Sequence, residues 1–172
     1  MRVIAGTLKG RRLDSPTWEG LRPTSDKVRE TLFNVLAPRV VGARVLDGYA
    51  GTGAVGIEAL SRGAAHVTFV DRDRRAQCLI MANLERCGAA ACAIIRPSFE
   101  RSDGPFDLVL LDPPYDIRPD DAMSVTAPLL APGGLLVLEH ARRSAAPHQA
   151  AGLTRIREIR SGDTMLSMYA IA

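Results

Sequence analysis

Lysine is nearly missing from this chain: Lys9 and Lys27 stand against twenty arginines. The chain is also rich in alanine, so the imbalance matches the codon bias of a GC-rich genome, and arginine preference by itself carries no functional information. Cysteine is scarce as well. Cys78, Cys87 and Cys92 are odd in number and form no C-x-x-C pair, which argues against a disulfide framework and a zinc site and suits a reducing cytoplasm. No apolar run approaches the ~18–20 residues that span a bilayer. The opening MRVIAGTLKGRR has no long apolar stretch before a small-residue cleavage site, so no secretory signal is expected. Glycine (15) and proline (11) are too few for a disordered or collagen-like chain, and there is no internal repeat. What is present is one domain's worth of sequence, 172 residues with 47% hydrophobic and 24% charged, enough to bury a core.

The net charge of +3 is unevenly spread. Residues 1–30 carry seven Lys/Arg against four Asp/Glu, residues 31–139 ten against thirteen, and residues 140–172 five against two. Arg2, Lys9, Arg11 and Arg12 fall close together with no acid among them. Clustered bases beside a near-neutral domain suit contact with phosphates; a merely solvated basic terminus is the other reading of the same count.

Hydrophobic periodicity divides the rest. Residues 2–5 and 11–14 read as a small hairpin, Pro23 breaks the chain, and Thr24 or Ser25 caps a helix over 25–37 with Val28, Leu32, Val35 and Leu36 on one face. Strand and helix then alternate: strands over 43–47, 66–71, 91–96, 106–112 and 135–140, and helices over 54–62, 73–87 and 120–130. The tail differs, with strands over 153–160 and 164–171 joined by a tight turn at Ser161-Gly162-Asp163, an antiparallel hairpin at a sheet edge. The pattern predicts an α/β fold, a doubly wound, mostly parallel sheet, with ligands at the carboxyl ends of its strands. Residues 1–20 are expected as an N-terminal basic extension and 21–172 as the main domain. Asp120-Asp121 reads as a helix start, and Trp18 as a loop residue packing on the N-terminal helix. His66, His140 and His148 are scattered, without acids or cysteines at ligand spacing, so no metal is expected. Cys78 and Cys87 lie on a predicted helix as partial core.

The first strand leads into VLDGYAGTGAVG (45–56). Gly51 and Gly53 permit a sharp turn and close approach of a ligand, and the following helix points its free N–H groups into the crevice. Gly51-x-Gly53-x-x-Gly56 matches the dinucleotide pattern literally, and Asp71 ends the second strand where a ribose-binding carboxylate belongs. Asp47, however, precedes the turn, where it would repel a pyrophosphate and welcome a cation such as the ammonium of a methionine moiety. The spacing Asp47–Gly51–Gly53–Asp71 resembles the cofactor signature of class I methyltransferases, which use S-adenosylmethionine. The aromatic Tyr49, where many members have a glycine, is typical of amino-group methyltransferases.

The fourth strand runs into Asp112-Pro113-Pro114-Tyr115. A Pro-Pro pair is stiff and extended. Methyl transfer depends mainly on holding the nucleophile close to the methyl carbon and in line, so rigidity is useful. The Asp112 carboxylate and the Pro113 carbonyl can accept hydrogen bonds from an exocyclic –NH₂, and Tyr115 offers a flat face to a planar base. The tetrapeptide resembles the [DNS]-PP-[YF] motif of methyltransferases acting on planar nitrogens, which leaves the acceptor open among DNA adenine-N6 or cytosine-N4, RNA guanine-N2 and protein glutamine-N5.

RVIAGTLKGRRL (2–13), LRPTSDKVRETLFNVL (21–36) and LDGYAGTGAVGIEALSRGA (46–64) together resemble the RsmD family, and the likeness runs essentially along the whole chain. That resemblance implies methylation of guanine N2 in small-subunit 16S rRNA, within an assembling or assembled ribosomal subunit in the cytoplasm. It implies Asp112, Pro113, Pro114 and Tyr115 as catalytic residues. Around the cofactor it implies Asp47, Tyr49, Ala50, Gly51, Gly53, Asp71, Arg72, Ser98, Phe99 and Thr24. It makes the hairpin an RNA-binding addition through Arg2, Lys9, Arg11 and Arg12, and gives Arg22 a contact either to RNA or to the S-adenosylmethionine carboxylate. Arg29 reads equally as a structural ion-pair partner. Tyr49 in place of the usual Phe, and Ser98-Phe99 in place of an adenine-contacting polar pair, depart from the family pattern. The rival readings are a DNA adenine methyltransferase, which would need a recognition domain, and a nicotinamide-dependent oxidoreductase.

Overall fold

The computed structural model describes residues 1–20 and 24–172. Its elements in chain order are α1 (Asp26–Val40), β1 (Arg44–Gly48), α2 (Ala54–Ser61), β2 (His66–Val70), α3 (Arg74–Cys87), β3 (Ala93–Arg96), β4 (Phe106–Leu111), α4 (Pro119–Thr126), β5 (Leu130–Ala141), β6 (Gln149–Ala150), β7 (Leu153–Ser161) and β8 (Thr164–Ile171). The strands lie side by side as β3-β2-β1-β4-β5-β8-β7-β6. The first five are parallel and the last three antiparallel. The expected α/β sheet is therefore present. The C-terminal hairpin differs in position: β8 lies against β5, and the two-residue β6 forms the outer edge.

Continuous apolar runs in the central strands arise because both sheet faces are covered. Val45, Leu108, Leu110, Leu135 and Val137 face one core with Leu32, Phe33, Leu36, Ile57, Ile80 and Leu84 from α1, α2 and α3. Their neighbours Leu46, Val109, Leu111, Leu136 and Leu138 face the other core with Met123 of α4, Phe106 and Tyr169. This is the period-two alternation of a strand buried on both sides.

Three boundaries depart from expectation. α1 runs through Pro38 to Val40; the proline gives up one i→i−4 bond, that of its own N, and the helix ends two residues later. α4 stops at Thr126 and gives way to a 3₁₀ turn over Ala127–Leu129 that contains Pro128. β5 starts at Leu130 rather than 135, with a bulge between the pairs Phe106–Leu130 and Leu108–Leu135 that absorbs the Pro132-Gly133-Gly134 run.

The predicted N-terminal hairpin is reduced to one bridge, Arg2 with Arg12, and a few turn hydrogen bonds. It is nonetheless firmly docked. The buried Glu58 carboxylate on α2 accepts from the backbone N–H of Ile4 at 2.8 Å and of Ala5 at 3.0 Å, and pairs with Arg62 and Arg29. Ser61 accepts from Leu8 N–H and donates to the Ala5 carbonyl. Val3 and Leu13 belong to the first core. Arg29, fully buried, joins Asp26, Glu58 and the Arg2 carbonyl, which is the structural one of its two readings.

Candidate active site

Sheet order reverses between β1 and β4, since β2 and β3 lie on one side of β1 and β4 on the other. A crevice outside the carboxyl ends of the strands forms at such a switch point. Strand pairing fixes what lines it. Gly48 pairs with Val70 on β2 and with Leu111 on β4, so Tyr49, Asp71 and Asp112 each stand one residue beyond the last rung. Leu111 pairs with Leu138, which puts Glu139 at the same level on β5. Together they floor a cleft of about 1180 Å³.

Asp47, one rung lower, is buried, and its Oδ2 accepts from Gly56 N–H at 2.8 Å. Burial, with the nearby negative charges of Asp112 and Asp71, raises its carboxyl to about 8 despite that hydrogen bond. Such a site is short of positive charge and suits a cationic group. Asp71 holds the glycine turn: one oxygen accepts from Gly51 N–H and the other from Asp73 N–H, each at 2.9 Å. Gly51 (φ 56°) and Gly53 (φ 76°) are left-handed, as a turn of this sharpness requires. Tyr49 is left-handed too (φ 61°), a costly conformation for a residue with a side chain, of the kind that collects at functional sites. Its half-buried ring meets Phe99 edge-on at 5.2 Å, and burial pushes its phenol upward.

Thr24, Ala50, Arg72, Ser98 and Phe99 also line the cleft, as does the whole Asp112–Tyr115 segment. Arg72 and Asp116 form an exposed ion pair at 3.6 Å that reaches across the end of β1. Tyr115 is 84% exposed, an unusual position for an aromatic ring and one that leaves its face open to a planar partner.

Two of the expected RNA-contact residues, Lys9 and Arg11, do not share this location. Lys9 and Arg11 lie by the C-terminal ends of α2 and α3, whereas the cleft is at the N-terminal ends of both helices. Arg11 donates to the Arg86 and Cys87 carbonyls, so its guanidinium caps α3. From the cleft residue Arg75 to Cys87, α3 rises about 18 Å. Arg2 and Arg12 are exposed and bridged to one another through their backbones. Arg22 lies outside the described residues.

Some residues in and behind the cleft escaped the sequence reading. Trp18 lines the cleft under the Arg75 guanidinium, 5.2 Å from its ring centroid, and so packs on the start of α3 rather than on α1. Asn83, fully buried, ties the extension to the glycine turn: its amide donates to the Asp14 and Thr52 carbonyls and accepts from Asp14 N–H. A lone asparagine within a helix gives no signal for such a role. Arg142 and Arg143 stand on the rim beyond β5.

The family model described as Conserved hypothetical protein 95 matches residues 1–170. The Bacillus subtilis protein named "Putative rRNA methyltransferase YlbH" is 37% identical over 98% of both chains. Ribosomal RNA small subunit methyltransferase D of Escherichia coli is 44% identical over 67% of this chain and 60% of its own length. A solved structure from Escherichia coli, "Putative methyltransferase yhhF", superposes with a TM-score of 0.85 at 33% identity, covering 98% of this chain and 96% of its own.

Proposed function

The chain belongs to the Conserved hypothetical protein 95 family, the RsmD family its sequence resembles, and from that membership we propose that it transfers a methyl group to the exocyclic N2 of a guanine in small-subunit 16S rRNA. The observation that carries the reading is the convergence of Asp47, Asp71 and Asp112 in one cleft with the open ring of Tyr115. A pyrophosphate there would meet the acids Asp47, Asp71 and Asp112, which argues against a nicotinamide dinucleotide. S-adenosylmethionine fits instead: Asp47 would hold its ammonium and Asp71 its ribose hydroxyls, with Tyr49 and Phe99 as apolar walls. That group supplies an electrophilic methyl carbon on a sulfonium.

The chain's own residues do the positioning. Asp112 and the Pro113 carbonyl accept from the guanine –NH₂, orient the nitrogen and offset the positive charge it gains as it is alkylated. Pro113 and Pro114 keep that acceptor pair stiff, and Tyr115 stacks on the base, worth ~1–3 kcal/mol by analogy with single-strand platforms. The base must leave its stack to enter, at a cost of a few kcal/mol that is least in a loop. In cells from which this chain has been deleted, 16S rRNA is expected to lack one N2-methylguanosine. The wild-type chain should restore it and Asp112→Ala should not. An unchanged nucleoside profile in the deletion would refute the proposal.

A further inference from the structure

Resting on that reading, the geometry points to Arg142 and Arg143 as the site that holds the RNA backbone next to the entering guanine. β4 ends at Leu111, but β5 continues to Ala141 and stays paired with β8 through Ala141–Thr164. The two strands therefore rise above the cleft floor as a wall on the acceptor side, next to Asp112–Tyr115 and on the far side of β4 from the glycine turn. From the level of Glu139 to Arg142 is three residues, about 10 Å along a strand. A nucleotide whose amine reaches Asp112 carries its phosphates outward, toward that rim.

The rim turn is held in place. Arg142 N–H donates to the Asp163 carbonyl at 2.8 Å and Ser144 N–H to the Ala141 carbonyl at 2.9 Å. The His140 ring lies against the Ala141 and Ser144 carbonyls through Nδ1 and against Ser167 Oγ through Nε2. Ser167 in turn donates to Glu158, which pairs with Arg155. A tethered turn presents its side chains at a defined place without further ordering.

The charge is also available. Among the described residues, four arginines line the cleft. Arg72 pairs with Asp116 and Arg75 with Asp73. Arg142 and Arg143 are exposed, and neither guanidinium has an ion pair or hydrogen bond among the described residues. Arginine forks match phosphate oxygens in pairs, and such contacts fix the register of a nucleic acid without reading its sequence.

The test compares wild type with Arg142→Gln/Arg143→Gln, and with Arg101→Gln as an exposed control remote from the rim. The measurements are methyl transfer to unmodified small subunits, fluorescence binding to a labelled 16S rRNA hairpin, S-adenosylhomocysteine binding and thermal midpoint. The double variant should keep its midpoint and its S-adenosylhomocysteine affinity. Its KM for subunits should rise about tenfold or more with kcat little changed. Two single-strand phosphate contacts correspond to a salt slope shallower by about 1.4, or about sevenfold less affinity lost between 50 and 200 mM salt. Wild-type KM and salt slope in the double variant, or an equal change in Arg101→Gln, would overturn the inference and leave the proposed function standing. A wild-type chain that methylates no RNA would overturn both.

Discussion

At the scale of single residues, the proposed chemistry rests on carboxylates at strand ends. Asp112→Ala should lower turnover by about 100-fold or more while leaving S-adenosylhomocysteine binding within a few-fold of wild type, because its partner is the acceptor nitrogen. Equal loss of both, by calorimetry and steady-state kinetics, would assign it to the cofactor or the fold. Asp47 makes a prediction in pH. Its carboxyl is raised from 3.8 to about 8, so the unfolded chain releases this proton at lower pH than the folded one. The stability it contributes is full below about pH 4 and is lost as pH rises toward 8. Asp47→Asn, which keeps an acceptor for Gly56 N–H, should therefore gain stability relative to wild type as pH rises across that window, while binding S-adenosylhomocysteine more weakly. Urea midpoints at pH 5 and pH 8 check the first, and a constant difference between the two proteins would contradict it. These acids were legible in the sequence because a strand-end position in an alternating α/β pattern is a place in space. Arg11 was not, because its partner is the end of a helix 75 to 76 residues away, and a basic run looks the same whether it grips a phosphate or a backbone carbonyl.

At the scale of elements, the decisive contacts are those that set α2 against β2 and the N-terminal segment. A Cβ on Gly56 would lie 2.3 Å from Phe69 Cε1 and 2.8 Å from Val67 Cγ1. Gly56→Ala should therefore cost about 1–3 kcal/mol of stability by overpacking, read as a lower urea midpoint at unchanged slope. A Cβ on Gly6 would meet the backbone carbonyl of Ser61 at 1.8 Å, too close for any side chain to adjust. The element pattern was readable because both cores impose period two on β1, β4 and β5. The boundaries were less so. Pro38 and Pro132-Gly133 look like stops, yet one falls in a final helical turn and the other in a bulge, where the missing bonds cost little. The overhang of β5 beyond β4 cannot be read from periodicity, because it depends on pairing with β8, and so the rim it builds was invisible.

At the scale of the whole molecule, residues 1–20 are woven into the domain. Val3 and Leu13 enter the core, Glu58 receives two of their neighbours' N–H groups, and Asn83 clasps Asp14 against the glycine turn. A chain starting at residue 21 would expose that apolar surface and leave the buried Glu58 with fewer partners. It should lose several kcal/mol of stability and much of its S-adenosylhomocysteine affinity, beyond any effect on RNA. Retained thermal midpoint and cofactor affinity in the truncated chain would mark the segment as a separable arm. Charge is divided between two places on the molecule, with Lys9 and Arg11 by the C-terminal ends of α2 and α3 and Arg142-Arg143 at the cleft. The proposed acceptor is a guanine N2 of 16S rRNA. Labelled methyl from S-adenosylmethionine, offered with unmodified small subunits, free 16S rRNA and duplex DNA, should appear as N2-methylguanosine from the subunits. Label in DNA as N6-methyladenine, or no label in any of the three, would contradict it.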